Sequence, residues 1–297
     1  MKRKTFLKSL TITSIMGAAM KLEALNNLSG SLSSTAKMPL LFLGHGSPMN
    51  AIEENEFVTG FREVGKTLPK PKAILCISAH WETRGTYVTA MDKPMTIHDF
   101  GGFPQRLFEV QYPAPGSPEL ALEMQKMVVK TTVGLDQKWG LDHGCWSVVK
   151  HLYPEADVLV IQMSLDYYQT PQFHYDLAKE LAPLRNKGIL IVGSGNLVHN
   201  LHKVAWEKLN EIGYGFDWAL EANDKMKKYM LDGDHQRLIN FKSEGKAFDL
   251  AIPTPEHYLP LLYILGLKEN HEELTIFNDK AVAGSLTMTS VKIGAGS

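Results

Sequence analysis

The chain holds only two cysteines in 297 residues, too few for a disulfide framework. Cys76 lies inside an apolar run and reads as a small core residue. Neither sign of charge is in excess, since 31 Lys and Arg stand against 32 Asp and Glu. With no basic face to neutralise phosphates, nucleic acid is not an expected partner. The lysines that do cluster, Lys225, Lys227 and Lys228, read as the solvated face of a helix. Beyond the N-terminal segment no stretch reaches the roughly 18 consecutive apolar residues that a membrane span needs. Gly-x-Gly-x-x-Gly and Walker loops are missing, which removes dinucleotide and P-loop chemistry. Gly-x-Ser-x-Gly is missing as well, and Ser47 stands before a proline in a turn, so a serine nucleophile is a weak reading. No internal repeat and no low-complexity stretch is present.

What is present is ordinary globular composition, 44% hydrophobic and 21% charged, in a chain long enough for one large domain with a full core. Residues 1–35 read as a signal-like or disordered segment, and residues 36–297 as the catalytic domain. Lys2, Arg3 and Lys4 form a positive start, followed by a modestly apolar stretch from Phe6 to Ala19. Arg3-Lys4-Thr5-Phe6-Leu7-Lys8 resembles a twin-arginine export signal with lysine in the second position, which implies a periplasmic protein. The alternative is a tail on a cytoplasmic one.

From Met38 onward strands and helices alternate. Met38–Leu43, Ala73–Ser78, Val158–Met163 and Gly188–Gly193 are short, nearly continuous apolar runs, as buried parallel strands should be. Thr86–Ala90 and Ser285–Lys292 alternate, which suits edge or antiparallel strands. Ser117-Pro118 and Thr170-Pro171 each set an N-cap residue ahead of a first-turn proline. The helix after Ser117 places Leu120, Met124, Met127 and Val128 on one packing face. The expected architecture is a single α/β domain with a central, mostly parallel sheet flanked by helices.

Five histidines stand out against this frame: His45, His80, His143, His199 and His257. They occur in Gly44-His45-Gly46-Ser47-Pro48, Ser78-Ala79-His80-Trp81-Glu82, Leu141-Asp142-His143-Gly144, Gly195-Asn196-Leu197-Val198-His199 and Thr254-Pro255-Glu256-His257. In folds of this class ligands bind at the carboxyl ends of the strands. His45 and His80 follow the first two strands and His199 comes shortly after the fourth, so these three should share one edge of the sheet. His143 is placed in a loop between the second and third main strands. His257 is placed in the first turn of a helix capped by Thr254, where the helix dipole favours neutral imidazole. Glycines on both sides of His45, and the run Gly193-Ser194-Gly195 ahead of His199, allow backbone that bulkier residues resist, or else are plain turn residues. Imidazole binds divalent transition metals and also exchanges protons near neutral pH. The set therefore suggests a metal site with its own acid/base group. His98, His151, His174, His202, His235 and His271 read as structural or exposed.

These five blocks, in this order from about Met38 to about Lys292, resemble the class III extradiol ring-cleavage dioxygenases, closest to the 4,5-DOPA extradiol branch. The resemblance implies one divalent metal ion held by His45, His80 and His257. It implies His199 beside the metal as catalytic acid/base or fourth ligand, and His143 lining the substrate pocket as a second catalytic group. Some members of the family use two histidines and a glutamate, the arrangement expected for oxygen-activating Fe(II). Here the third ligand is a histidine, and Glu256 reads as the only nearby carboxylate. A three-histidine site also takes Zn(II) readily, so the metal is either Fe(II) for catalysis or Zn(II) as bound. The implied partners are a small catechol such as L-DOPA and dioxygen, and the implied product is a muconic semialdehyde. The stretch from His98 to Pro104 reads either as an aromatic wall, with Phe103 meeting substrate, and a flexible lid, or as a plain surface loop. Two other functions use the same residues. One is a zinc hydrolase with a metal-bound water, and the other is a binding protein without catalysis.

Overall fold

The computed structural model describes residues 36–209 and 211–294; the expected export segment lies outside the described residues. In chain order the strands are β1 (Leu40–Gly44), β2 (Ala73–Thr83), β3 (Thr86–Thr89), β4 (Val133–Asp136), β5 (Leu159–Asp166), β6 (Ile189–Gly195), β7 (Leu274–Phe277), β8 (Ala281–Val282), β9 (Leu286–Thr287) and β10 (Ser290–Ile293). Eight of them form one sheet in the order β4-β3-β5-β2-β6-β1-β10-β7, while β8 pairs with β9. The four apolar runs of the sequence make the parallel centre β5-β2-β6-β1. Towards the edges β10 joins β1, and β3 joins β5, antiparallel. The α/β class with a mostly parallel sheet is therefore what the chain adopts.

Side chains alternate across a strand, so a continuous apolar run serves two cores at once. Leu40 and Phe42 enter one core while Leu41 and Leu43 enter the other, and Leu75 and Ile77 are opposed to Ile74 and Cys76 in the same way. On the first face lie the helices Pro118–Met127, Pro171–Glu180, Asp217–Asp232 and Leu259–Gly266; Glu56–Lys66 and His143–Leu152 cover the second. Ser117 and Thr170 cap their helices as expected, each accepting a backbone N–H three residues on at 3.2 Å.

The structure corrects four placements, and three of them concern the histidines. β2 does not stop at Ser78 but runs through His80 to Thr83. Its pairing with β5 jumps from Ile77–Met163 to Glu82–Leu165, so four residues of β2 stand against one of β5. Such a bulge re-aims side chains, and His80 is among those displaced. His143 is not in a loop: it is the first residue of the helix His143–Leu152, capped by Asp142, whose Oδ1 accepts from Cys145 N–H at 3.0 Å. His257 lies in a turn ahead of its helix, which begins at Leu259. Pro260 lacks the N–H that would continue the helix from Glu256, and Thr254 donates its hydroxyl hydrogen to Glu256 instead of capping. Ser285–Lys292 is not one strand but two, β9 and β10, and between them Thr289 turns its hydroxyl to Asn223 and Asp279.

Candidate functional site

The carboxyl ends of β1, β2 and β6 deliver the site. β1 carries directly into His45, whose backbone N–H donates to Gly195 O at 3.1 Å. Gly46 then takes φ +60°, the left-handed region that favours glycine, and the chain turns sharply into Ser47-Pro48. Asn50 ties the turn down by donating to His45 O at 2.9 Å, and His151 meets Asn50 O at 2.8 Å from the neighbouring helix. The β6 end and the His257 turn touch backbone to backbone. Asn196 N–H donates to His257 O at 2.9 Å, and a Cβ at Gly195 would lie 2.0 Å from that oxygen.

His45, His80 and His257 converge so that one ring nitrogen from each lies within 4.8 Å of the others. The hydrogen bonds around them decide which nitrogens are free. Ser194 has a single hydroxyl hydrogen and donates it to Gly144 O at 2.5 Å, so at 3.0 Å it accepts from His45 Nδ1. His45 therefore carries its hydrogen on Nδ1 and turns a bare Nε2 inward, 3.1 Å from His80 Nε2. His80 Nδ1 faces Asp99 Oδ2 at 3.5 Å, and His257 Nδ1 faces Glu256 Oε1 at 3.2 Å. Each ring thus has an outward partner for Nδ1, the outer arrangement that orients metal-binding histidines.

Burial is the chief reason that all three rings stay neutral. It pushes His45 and His257 well below the usual histidine range, and the neighbouring imidazoles add to the effect. His80 falls to about 3, by burial first and then by the charge His143 would bear. A neutral imidazole has the lone pair that metal binding requires. Three such rings gathered at one buried point would be poorly satisfied by protein alone, and the donor set fits a divalent transition ion.

The remaining two histidines flank the trio. His199 stacks on His257 with ring centroids 3.5 Å apart and planes 7° from parallel. Burial lowers its pKa to about 4, and among the described residues neither of its ring nitrogens has a protein hydrogen-bond partner. His143 lies against His80 at 3.8 Å between centroids and 5.7 Å from His45. Phe100 meets the His143 ring edge-on at 5.5 Å, and Phe103 packs in turn on Phe100 at 5.4 Å. All five histidines are thus brought together, while Phe103 packs on Phe100 and not on a histidine ring.

Sequence reasoning missed several contributors. Glu256 is not the only nearby carboxylate: Asp99 lies 2.9 Å from His143 Nδ1. It stands in a stretch, His98 to Pro104, whose sequence signal is aromatic, and its partner His143 lies 44 residues away. Ser194 lies in Gly193-Ser194-Gly195, a run whose sequence signal is the backbone freedom of its two glycines and not the hydroxyl between them. Asp142, fully buried, accepts from Ser78 Oγ at 2.7 Å and from Gln162 Nε2 at 2.7 Å, tying β2, β5 and the His143 helix together below the site. Four of the six histidines set aside behave as supports: His98 and His151 meet backbone carbonyls, and His174 and His235 meet tyrosine hydroxyls. His202 and His271 are exposed.

An α/β sheet with imidazoles converging at its carboxyl edge defines the class of enzymes that open aromatic rings with dioxygen, once the sequence match is added. The chain belongs to the family of the catalytic LigB subunit of aromatic ring-opening dioxygenase, matched over residues 38–288. It is 45% identical over 265 residues to the 4,5-DOPA dioxygenase extradiol of Escherichia coli K12, covering 88% of this chain and 96% of that one. A protein of the same name from Beta vulgaris is 35% identical over 259 residues, covering 84% and 94%. The crystal structure of an uncharacterized protein from Escherichia coli K12 superposes with a TM-score of 0.75 at 41% identity, covering 87% of this chain and all of the other. Family membership favours an aromatic ring-opening dioxygenase over the zinc hydrolase and the non-catalytic binding protein.

Proposed function

We propose that the chain cleaves an ortho-diol of the L-DOPA kind beside its hydroxyls, using dioxygen and one divalent metal ion, and releases a muconic-semialdehyde-type product. The observation that carries this reading is the orientation of the trio. His45, His80 and His257 each have an outward partner on Nδ1 and leave a second nitrogen for a common ion. An ion held there would act as a Lewis acid toward the two catechol hydroxyls and provide the place where dioxygen is activated. Fe(II) is the ion that suits oxygen chemistry, and Zn(II) would bind without supporting it.

The remaining steps belong to the protein. His199 enters neutral and without a protein partner, which makes it the group to accept a proton from a catechol hydroxyl and return it when the ring opens. Such transfers contribute roughly 10²–10⁴-fold to rate. His143 presents its second ring nitrogen from the opposite side of the trio. Phe100, held by Phe103, Phe108 and Trp146, closes that side with apolar surface and keeps water out. The test is a set of diols. Metal-free protein is reloaded with Fe(II) under nitrogen and given ortho-diols and a meta-diol in air. Ring-opened product from ortho-diols alone supports chelated cleavage; equal turnover of both, or of neither, overturns it.

A further inference from the structure

Asp99 is a half-buried carboxylate at the edge of the histidine cluster. Both of its oxygens are committed to His143: Oδ1 accepts the backbone N–H at 2.8 Å, and Oδ2 faces Nδ1 at 2.9 Å. An ionised carboxylate accepts but does not donate, so a hydrogen sits on Nδ1, and the neutral ring then has its lone pair on Nε2. Among the described residues Nε2 has no protein partner. The ring is otherwise held only by packing, against His80 at 3.8 Å and Phe100 at 5.5 Å between centroids. The same Oδ2 lies 3.5 Å from His80 Nδ1, a longer and secondary contact.

We propose that Asp99 is a positioning residue for ring opening: it locks His143 in the Nδ1–H tautomer, so that Nε2 faces the substrate as a hydrogen-bond acceptor beside the three ligand histidines. Which nitrogen of a histidine is free is set by the bond the other one makes. The catalytic part of this proposal rests on the ring-opening reading; the tautomer does not.

Asp99→Asn tests it. Asparagine keeps an acceptor for the His143 backbone N–H but offers an amide donor to Nδ1, which drives the hydrogen to Nε2. In zinc-loaded protein with nitrogen-15 histidine, the His143 signals are those lost in His143→Gln. The expected result is an Nδ1–H ring in the wild type and an Nε2–H ring in Asp99→Asn, with equal zinc content. In the iron-loaded enzyme Asp99→Asn should lower kcat for L-DOPA about 100-fold with little change in KM, the mark of a transition-state role. Asp99→Glu should recover part of the loss. Asp99→Asn combined with His143→Gln should be no slower than His143→Gln alone, because the two act as a unit. An unchanged tautomer in Asp99→Asn overturns the proposal. So does zinc lost in step with activity, which would assign Asp99 to His80 instead. Failure of the wild type to consume L-DOPA or oxygen would sink the ring-opening reading, and the nitrogen signals would still decide the tautomer.

Discussion

Single side chains divide the site into groups that hold and groups that act. Replacing His45 or His80 by alanine should remove metal and ring cleavage together, since each supplies an inward nitrogen. His199→Ala should keep most of the metal and lose cleavage by roughly 10²–10⁴-fold; metal content beside turnover separates the two cases. Ser194→Ala leaves His45 Nδ1 without its acceptor and should weaken metal affinity about 10–100-fold, as loss of an outer-shell partner does. Away from the site, His174 is fully buried against Tyr263, with its Nδ1 3.0 Å from the hydroxyl, and burial lowers its pKa to about 4 from an ordinary 6.5. Between those values the unfolded chain binds the proton and the folded chain does not, so stability falls as pH drops from 6.5 and levels off below about 4. The full effect is about 3 kcal/mol. Urea unfolding from pH 7 to pH 4 should therefore show a shallower decline in His174→Gln than in the wild type, and equal slopes would refute the assignment.

Elements show how much of this could be read from the amino-acid order. The four parallel strands were legible because strands buried on both faces are written as unbroken apolar runs. The helix starts at Ser117 and Thr170 were legible because capping is local chemistry. The bulge at His80 was not, since it arises from the mismatch of β2 with β5 and has no mark in Ser78-Ala79-His80-Trp81 alone. Val133–Asp136 and Leu274–Phe277 are short edge strands of mixed composition and went unread. Asp142 ahead of His143 was a cap signal, masked by the following glycine, which normally weakens a helix. The site was legible as a set of histidines and illegible as a set of partners, because Asp99 and Ser194 become functional only through contacts made across the fold. Where β6 meets the His257 turn, Gly195→Ala would force a methyl group into His257 O. It should cost about 1–3 kcal/mol in folding stability and lower metal affinity as well; thermal unfolding and metal titration read the two effects.

The whole molecule places a rigid parallel centre beneath a rim of loops, and the chemistry sits on that rim. Near the start of the described residues Met38 is tied into this body, its N–H donating to Arg185 O at 3.0 Å and its carbonyl accepting from Arg185 Nε at 2.8 Å. Arg185, fully buried, also pairs with Glu272. Among the described residues no helix is long and apolar enough to cross a membrane. The proposed function comes down to whether the three-histidine centre serves dioxygen chemistry on a catechol. Oxygen uptake tests it most directly, with Fe(II)- and Zn(II)-reloaded protein each given L-DOPA in an oxygen electrode. Equimolar loss of oxygen and L-DOPA with iron, a yellow ring-opened product, and no uptake with zinc are the expected results. Loss of L-DOPA without oxygen, or equal turnover with either metal, would contradict it.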